Sequence, residues 1–395
     1  MSYPLHGVRV VAFEQAVAAP FCTRHLADLG ADVIKIERPD GGDFARRYDS
    51  VVNGLSSYFV WLNHGKRSIA LDVKQASGRA LLDRLIETAD VFVHNMGPGV
   101  VDRLGLGTDS LRARQPRLVT CEISGYGRTG PYSTRKAFDL LLQGESGLIS
   151  TTGSPDEPAK VGISIADISA GMYAFSSILA ALLRRERDGE GCHIETTMLD
   201  CLAEWMAAPA YYWMYGEKKL QRAGTRHNII VPYGPYRVGG GQSVNLAVQN
   251  EGQWVRLCQV VLRRPELATD PRFATAEARV RHRDALEPLI EQILGQYDRP
   301  RVEQMLEEAD VPFGSLNEVD GLVEHPQLAA RHRWLTVQSE IGPLRAIANP
   351  FNLSDVPQRA DAVPALGEHT EAVALELGYT AEEARSLAAV VSRPG

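Results

Sequence analysis

Hydrophobic residues recur along the first half of the chain in two alternating patterns, short β-branched runs and stretches with helical spacing. The β-branched runs predict strands over residues 8–14, 32–37, 90–95, 117–124 and 192–198. Between them, the apolar positions that follow Pro20 and those of residues 76–89 predict helices. Strands that alternate with helices are typical of a mostly parallel sheet covered by helices, so we expect an α/β layer.

Two helical patterns occupy the middle of the chain. Residues 167–187 carry the strongest helical pattern, and the Asp-Gly-Glu-Gly run that follows is expected to end it. The next helix, predicted over residues 198–219, has an unusual aromatic load, namely Trp205, Tyr211, Tyr212, Trp213 and Tyr215. Such a load exceeds what a surface helix needs, so this segment is either ordinary core or a buried crossing between domains or subunits.

The pattern changes after Gly224, where Gly and Pro separate short elements. Strands are predicted over residues 236–238 and 242–248, joined across three glycines at 239–241. Helices follow in the predicted order 253–262, 283–296 and 301–309, and a return segment over 343–357 leads to a terminal helix at 380–391. We therefore expect a second, smaller α+β domain after residue 224.

Composition narrows the class of protein. The chain has 395 residues, 44% hydrophobic and 23% charged, which is ordinary for a globular protein, and its length favours more than one domain. A formal net charge of −7 leaves no global basic field, so neither a nucleic acid nor an anionic membrane is expected as a partner. The apolar runs fall short of the roughly 18 residues of a membrane span, and the first residues lack the pattern of a signal peptide. We expect a cytoplasmic protein.

Cysteine, histidine and glycine spacing argues against resident cofactors. The five cysteines include no C-x-x-C pair and are expected to be reduced thiols, and the ten histidines form no H-x-x-x-H or H-E-x-x-H pattern. A metal site is therefore not predicted. The loop after the first strand reads QAVAAP rather than G-x-G-x-x-G, so no nucleotide cofactor is predicted either. Its small residues would still let a ligand approach the backbone.

Basic residues follow three predicted strands. They are Arg38 with Arg46 and Arg47, then Lys66 with Arg67, and finally Arg103. Ligands of open α/β sheets bind beyond the carboxyl ends of the strands, where these cations would converge on a polyphosphate. The alternative is ordinary solvated surface charge, and spacing alone does not separate the two.

Longer motifs carry a resemblance that covers nearly the whole chain. They include GVRVVAFEQAVAAPFCTRHLADLGADVIKIERPDGGDFAR, GKRSIALDVK, ADVFVHNMGPGVVDRLGL, GYGRTGPYSTRKAFDLLLQGESGL and ADISAGMYAFSSILAALLRRERDGEG. In these segments the chain resembles the class III CoA-transferase family, which also contains formyl-CoA transferase, carnitine CoA-transferase and α-methylacyl-CoA racemase. The nearest resemblance is to the branch of mesaconyl-CoA C1–C4, itaconate and citramalate CoA-transferases.

The resemblance implies an architecture. It is a large Rossmann-like α/β domain built from both chain ends and a smaller α+β domain, in a homodimer whose chains interlock as rings. The implied boundaries are 1–197 and 351–395 for the large domain, 198–223 and 326–350 for two linkers, and 224–325 for the small domain. Coenzyme A enters as an acyl-CoA substrate, with no metal.

The resemblance also implies ten CoA contacts. They map to Ala16, Val17, Arg38, Leu71, Lys74, Asn95, Met96, Arg103, Leu104 and Lys136. Where many relatives have N-F-R-P-G, this chain has N-M-G-P-G at residues 95–99, so one customary cation is absent.

The family nucleophile, an aspartate that opens the long helix, maps to Asp167. Aspartate is also a favoured helix N-cap, and the alternative is a purely structural cap. As a cap its carboxylate would be held ionised by backbone N–H groups and the helix dipole. Asp139 matches a family position with an acidic residue near the site. The alternative to a role in the site is a structural one, as a capping or salt-bridging carboxylate.

A glycine-rich loop that supplies oxyanion donors in the family aligns with residues 224–234, which are glycine-poor here. The glycines at 239–241 are a substitute or simply a hairpin turn. In the aligned loop, Arg226, His227 and Tyr233 are candidates for holding the distal carboxylate of a substrate.

The expected reaction is CoA transfer between an acyl-CoA and a carboxylic acid, most simply a C4–C5 dicarboxylate such as succinate, itaconate, mesaconate or citramalate. Two alternatives remain. A racemase or epimerase needs two proton carriers, and the family position of one of them is Phe138 here. A nonenzymatic CoA-binding protein would not need Asp167.

Overall fold

The computed structural model describes residues 3–390, which group by their contacts into two compact units. The first unit comprises the residues up to 148, residues 161–207 and the residues from 327 onwards. The second comprises residues 149–160 and 208–326. Residues 149–160, expected in the large domain, group with the second unit. The expected linkers are divided between the units, with 198–207 and 327–350 in the first and 208–223 in the second.

A six-stranded sheet forms the centre of the first unit. Its strands are β1 (Arg9–Phe13), β2 (Asp32–Glu37), β3 (Arg67–Ala70), β4 (Val91–His94), β5 (Val119–Ser124) and β6 (His193–Thr197). They are all parallel and lie in the order β3-β2-β1-β4-β5-β6. The order reverses between β1 and β4, which places a crevice beyond their carboxyl ends.

Eight helices belong to the first pass of the chain through this unit. They are α1 (Ala18–Asp28), α2 (Ser57–Asn63), α3 (Ala76–Glu87), α4 (Val100–Arg103), α5 (Thr108–Arg114), α6 (Asp139–Glu145), α7 (Ile165–Asp188) and α8 (Met198–Trp205). The predicted helices after Pro20, over 76–89 and over 167–187 are confirmed within a few residues at each end.

The second unit contains a three-stranded antiparallel sheet and short helices. In chain order its elements are α9 (Ala207–Gly216), β7 (Tyr233–Arg237), β8 (Ser243–Ala247), α10 (Glu251–Arg256), α11 (Ala276–Arg281), α12 (Arg283–Leu294), α13 (Arg299–Glu308), β9 (Phe313–Gly314) and α14 (Val319–Val323). The glycines at 239–241 connect β7 to β8 as a hairpin turn, which confirms that interpretation over the substitute loop. The helix predicted over 253–262 begins as α10 and continues as a π-helical turn over Leu257–Val261.

The chain then returns to the first unit. Its last elements are α15 (Pro326–Ala330), β10 (Trp334–Val337), β11 (Leu344–Ile347), α16 (Thr370–Glu376) and α17 (Ala381–Ala388). The hairpin of β10 and β11 packs on α2 through Val337 and Phe59. The terminal helix predicted over 380–391 corresponds to α17, and its last predicted residue lies outside the described residues.

Side chains of the central strands are buried on both faces of the sheet. Val10 and Ala12 of β1 face a core shared with α1, α7 and α8. Val11 and Phe13 face the opposite core, which α3, α5, α16 and α17 cover. This is why the strands appear in the sequence as near-continuous apolar runs.

The edge of the sheet at β3 is covered by residues near the end of the chain. His369 donates its backbone N–H to Ser68 O at 2.9 Å, and Ala70 donates its N–H to Thr370 Oγ1 at 3.0 Å. The segment that begins α16 therefore satisfies backbone groups that an open edge strand would leave unpaired.

Helix α7 is the longest helix and packs against α1. Its length and composition alone would allow it to cross a bilayer, but Ala170, Ala174 and Ile178 are fully buried in the protein core. At Gly171 the two helices approach so closely that a Cβ would lie 2.6 Å from Ala18 O.

The aromatic segment differs from expectation. The chain breaks it into α8 and α9, and in the single chain the aromatic side chains lie on the surface rather than in ordinary core. The exposed fractions of Trp205, Tyr211, Tyr212, Trp213 and Tyr215 lie between 38% and 80%.

Candidate active site

Two adjoining cavities open at the carboxyl ends of the first unit's strands. The larger, of about 1110 Å³, extends from the loop after β1 to the start of α7. The smaller, of about 570 Å³, lies beside the ends of β1 and β2. Gln15, Met96, Val100 and Arg103 line both cavities, so the two are continuous around the crevice where the strand order reverses.

The loop after β1 is fixed on both sides of this crevice. Gln15 donates its backbone N–H to Asn95 Oδ1 at 2.9 Å, and Asn95 Nδ2 donates to Gln15 O at 2.8 Å. Ala16 has a φ of 62°, unusual for a residue other than glycine, and its N–H donates to Asp43 Oδ1 at 3.0 Å. The small residues of QAVAAP thus place backbone against the larger cavity.

The ten positions that the resemblance assigns to CoA all line these cavities. Arg38, Leu71, Lys74 and Leu104 line the smaller cavity, Ala16, Val17, Asn95 and Lys136 the larger, and Met96 and Arg103 both. Arg38, Lys74 and Arg103 put three cations around the smaller cavity, a density of positive charge that suits phosphate groups.

Three of the cations grouped with these in the sequence have other partners. Arg46 donates to both oxygens of Glu37 at 2.8 Å. Lys66 is buried and donates to Glu14 at 2.7 Å. Arg67 pairs with Glu376 and Asp32. The expectation that they face a polyphosphate is wrong for these three, because each is neutralised by carboxylates within the fold.

Asp167 lies in the first turn of α7 and lines the larger cavity. The helix begins at Ile165, so Asp167 is its third residue and not its N-cap. Burial, reinforced by the negative charge of Asp139, raises the pKa of Asp167 to about 7. The expectation of a carboxylate held ionised by backbone N–H groups is therefore wrong, and Asp167 is a carboxyl group whose proton leaves near neutral pH.

Asp139, at the start of α6, performs the capping instead. Its Oδ1 accepts hydrogen bonds from the backbone N–H groups of Ala166 at 2.7 Å and Asp167 at 3.4 Å. Its Oδ2 accepts from Gln143 Nε2 at 2.7 Å, and Gln143 Oε1 accepts from Val161 N at 2.8 Å. Asp139 therefore holds the helix terminus that carries Asp167, and both carboxyl groups line the same cavity.

Several cavity residues escaped the sequence analysis. Phe44, Tyr48 and Tyr58 form an aromatic wall of the larger cavity. Burial, with Asp43 and Asp167 as the next causes, raises the pKa of Tyr48 to about 12. The only signal in the sequence was the aromatic density of residues 44–61, which is equally typical of ordinary core.

The loop that follows β5 forms another wall. Arg128 of this loop donates to Glu122, and its backbone N–H donates to Glu195 at 2.5 Å. At Gly127, φ is 86° and a Cβ would lie 2.8 Å from Glu195 Oε1, so a larger residue would be strained and would displace the Glu195 carboxylate. The GYGRTG motif thus has a local structural explanation.

The candidate substrate loop belongs to the second unit. Arg226 donates to Glu287 at 2.5 Å and to Glu291 at 2.7 Å, so its charge is already paired. His227 stacks on Tyr233 with 5.0 Å between ring centroids, and its Nδ1 accepts from Ile229 N. Of the three candidates, Arg226 is the least suited to hold a substrate carboxylate, because two glutamates already neutralise it.

Among residues 3–390, no group of three or more His, Cys, Asp or Glu side chains is arranged to hold a metal ion. All five cysteines in this part of the chain are free.

Known proteins resemble this chain over nearly its whole length. A curated relative, the succinate–glutarate CoA-transferase of Agrobacterium fabrum, is 36% identical over 95% of this chain and 96% of its own length. The succinyl-CoA–D-citramalate CoA-transferase of Chloroflexus aurantiacus is 32% identical, over 98% and 97%. A crystal structure of a CAIB/BAIF family protein from Brucella suis is 37% identical and superposes with a TM-score of 0.82, covering 95% of this chain and 100% of that one.

A family model decides the classification. The model described as CoA-transferase family III matches residues 5–370, which is nearly the whole chain. The resemblance found in the motifs is confirmed over the same range, and it makes the protein an enzyme of the transferase class that uses CoA thioesters. The chain therefore belongs to CoA-transferase family III.

Proposed function

We propose that this enzyme moves CoA between an acyl-CoA and a dicarboxylic acid of four or five carbons, with Asp167 as the nucleophile. The observation that carries the proposal is the position of Asp167 in the larger of two adjoining cavities, which together are lined by all ten expected CoA contacts. Relatives that act on succinate and glutarate or on citramalate support the acid class.

The smaller cavity suits the phosphates of CoA. Arg38 is largely exposed, and its nearest carboxylate, on Asp40, is 3.7 Å away, so the guanidinium retains capacity for an anion. With Lys74 and Arg103 it would hold the nucleotide end, and the pantetheine arm would then run past Met96 into the larger cavity. The thioester would reach Asp167.

Transfer begins when the ionised Asp167 attacks the thioester carbonyl and CoA thiolate leaves, which forms a mixed anhydride. The thiolate then attacks the aspartyl carbonyl, releases the donor acid as its carboxylate and leaves an aspartyl-CoA thioester. The acceptor carboxylate attacks that thioester, and CoA thiolate leaves again. The thiolate finally attacks the acceptor carbonyl of the second anhydride, which yields the new acyl-CoA and restores Asp167.

Each thioester is exchanged for another of similar energy, so the sequence of steps needs no ATP and no oxidant. A proton transfer at the α-carbon would need a second acid or base on the opposite face. Among the described residues that line the larger cavity there is no histidine, and Phe138 stands at the family position of one, which favours transfer over racemisation.

The decisive variant is Asp167→Asn. It should bind CoA but lose transfer by several orders of magnitude, since a nucleophile has no partial substitute. Wild-type enzyme given acyl-CoA and then hydroxylamine should carry a hydroxamate at Asp167 in peptide mass spectrometry. Asp188→Asn, at the other end of α7, is the matched control and should retain activity. Near-normal transfer by Asp167→Asn, with no adduct in wild type, would refute the assignment.

The acid class is tested with a panel. Succinyl-CoA is offered with itaconate, mesaconate, citramalate, glutarate, formate or butyrate, and the new thioester is quantified by mass spectrometry. We expect the highest kcat/KM for one of the dicarboxylates. If formate or butyrate exceeds all four, the proposed acid class is wrong.

A further inference from the structure

A network of buried charges lies directly beneath the loop that follows β1. The side chains of Glu14, Lys35, Asp43 and Lys66 are all buried. Lys35 Nζ lies 2.8 Å from Asp43 Oδ2 and 3.3 Å from Glu14 Oε1, and Lys66 Nζ lies 2.7 Å from Glu14 Oε1. Two cations thus alternate with two carboxylates, and the proposed chemistry uses none of them.

Asp43 connects this network to the loop. Its Oδ1 accepts hydrogen bonds from the backbone N–H groups of Ala16 at 3.0 Å and Ala45 at 2.9 Å. Its Oδ2 is held by Lys35. One carboxylate therefore anchors the β1 loop, the turn that contains Ala45 and the interior of the sheet at the same time.

The hydrogen bond to Ala16 fixes a backbone conformation that alanine disfavours. Ala16 has a φ of 62°, in the left-handed region, and such conformations persist only where the surroundings determine them. Gln15 is fixed by Asn95, so Asp43 supplies the restraint on the next residue. Ala16 and Val17 line the larger cavity, and the conformation of Ala16 decides which backbone groups face it.

The two glycines before Asp43 shape the turn that places its carboxylate. Gly41 and Gly42 precede it with φ of 88° and 68°. A Cβ at Gly42 would lie 2.5 Å from Glu37 Oε2, the atom that accepts the Asp43 N–H at 3.0 Å. The two glycines let the chain turn sharply enough to bring the Asp43 carboxylate under the loop.

We propose that Asp43 is a positioning residue for acyl-CoA binding, which acts by holding Ala16 in its left-handed conformation. This inference rests on the proposed function, in which the β1 loop contacts acyl-CoA. Asp43 borders the smaller cavity, but the residue is only 2% exposed, and its carboxylate contacts the backbone of the β1 loop and of the turn at Ala45.

The test is Asp43→Asn, which preserves shape but offers one oxygen where two are used. The amide cannot accept from Ala16 N–H and also face Lys35 with an acceptor. Because a residue other than glycine disfavours the left-handed conformation, losing the restraint should raise KM for acyl-CoA about tenfold, with kcat changed much less. The matched control is Asp28→Asn, because Asp28 is also a buried carboxylate in an ion pair, in its case with Arg24. Its KM should remain that of wild type.

Rescue separates positioning from general destabilisation. Glycine adopts positive φ without the penalty of a Cβ, so Ala16→Gly should restore most of the lost acyl-CoA affinity in the Asp43→Asn background. It should not restore the melting temperature. An unchanged KM in Asp43→Asn, or an affinity that Ala16→Gly fails to recover, would overturn the proposal.

Calorimetric binding of free CoA to each variant keeps this inference distinct from the proposed reaction. If wild type binds CoA without transferring it, the proposed function fails while the ranking of affinities still tests Asp43.

If Asp43→Asn does not fold, Ala16→Val is the second variant. It leaves the buried network intact and perturbs the backbone of the same loop, because a β-branched residue is strongly disfavoured at positive φ. Weakened CoA binding is expected, and wild-type affinity in Ala16→Val would overturn the inference.

Discussion

At the residue scale, burial and a second carboxyl group in the same cavity set the acid–base state of Asp167, the proposed nucleophile. The pKa of Asp167 is raised to about 7 by burial and by the charge of Asp139. In the proposed reaction only the ionised carboxylate attacks the thioester, so the raised pKa makes the reactive fraction of Asp167 depend on pH near neutrality.

We predict that kcat/KM of wild type rises with pH through a midpoint near 7, because Asp167 is protonated and unreactive below its pKa. Asp139→Asn removes the neighbouring negative charge but keeps an oxygen for the N–H groups of α7, so the midpoint should move to lower pH. Asp188→Asn should leave it in place. A flat profile between pH 5 and 9, or an unmoved midpoint in Asp139→Asn, would contradict the coupling.

Sequence reasoning at this scale proposed Asp167 and the CoA positions from motifs, and it did not predict the contacts that hold these residues in place. Asp139 was predicted to be an acid near the site, with a capping or salt-bridging carboxylate as the alternative. That α7 is the helix it caps was not predicted, because that contact joins residues 27 apart through a fold that spacing does not reveal. Lys66 was grouped with exposed cations because its partner Glu14 is 52 residues away. Buried charges look like surface charges in a sequence, since what distinguishes them is a distant partner.

At the element scale, the crossing of α1 and α7 determines the position of Asp167, the proposed nucleophile. Gly171 lies one helical turn beyond Asp167, on the face of α7 that meets the first turn of α1. That turn of α1 follows the β1 loop. The same crossing therefore sets the distance between the start of α7 and the backbone expected to contact CoA.

Gly171→Ala should lower both stability and activity. Its Cβ would lie 2.6 Å from Ala18 O, a backbone atom that cannot rotate away, so the two helices must separate. Overpacking of this kind costs about 1–3 kcal/mol, and thermal unfolding with transfer kinetics would measure both effects. Gly144→Ala in α6 meets no atom within 4 Å and should instead stabilise the helix by up to about 1 kcal/mol. Equal melting temperatures for the two variants would refute this account.

Helices and strands were predictable where the spacing of apolar residues repeats over enough positions. Five of the six parallel strands and the long pattern of α7 were found from apolar spacing, because burial on both faces or along one stripe imposes it. Strand β3, which is only four residues long, was not predicted. Helix α16 was missed, since its seven residues are too few to establish a period and its position depends on β3. The aromatic segment was predicted as one helix, although Met206 interrupts it between α8 and α9.

At the scale of the whole molecule, the exposed aromatic surface of α9 is the feature that a single chain does not explain. Tyr211, Trp213 and Tyr215 are all more than half exposed. Large apolar groups clustered on one helix are typical of a surface that another protein covers. The homodimer expected from the resemblance would bury them.

We predict an obligate homodimer that dilution does not separate into folded monomers, because interlocked chains bury much more than a standard interface. Sedimentation velocity over a range of concentrations would show a single dimeric species. Trp213→Ala with Tyr215→Ala should weaken the dimer, whereas His332→Ala, outside α9, should not. A stable, active wild-type monomer would defeat the prediction.

The residues that cover the β3 edge are synthesised long after β3 itself. All six strands have been made once residue 197 has emerged from the ribosome, but the residues that pair with the β3 edge begin near 367. At about 5–20 residues per second, the edge stays uncovered for roughly ten to thirty seconds. Translation therefore passes through an interval in which a nearly finished sheet can pair with another nascent chain, and a ribosome that stalls before residue 367 prolongs it.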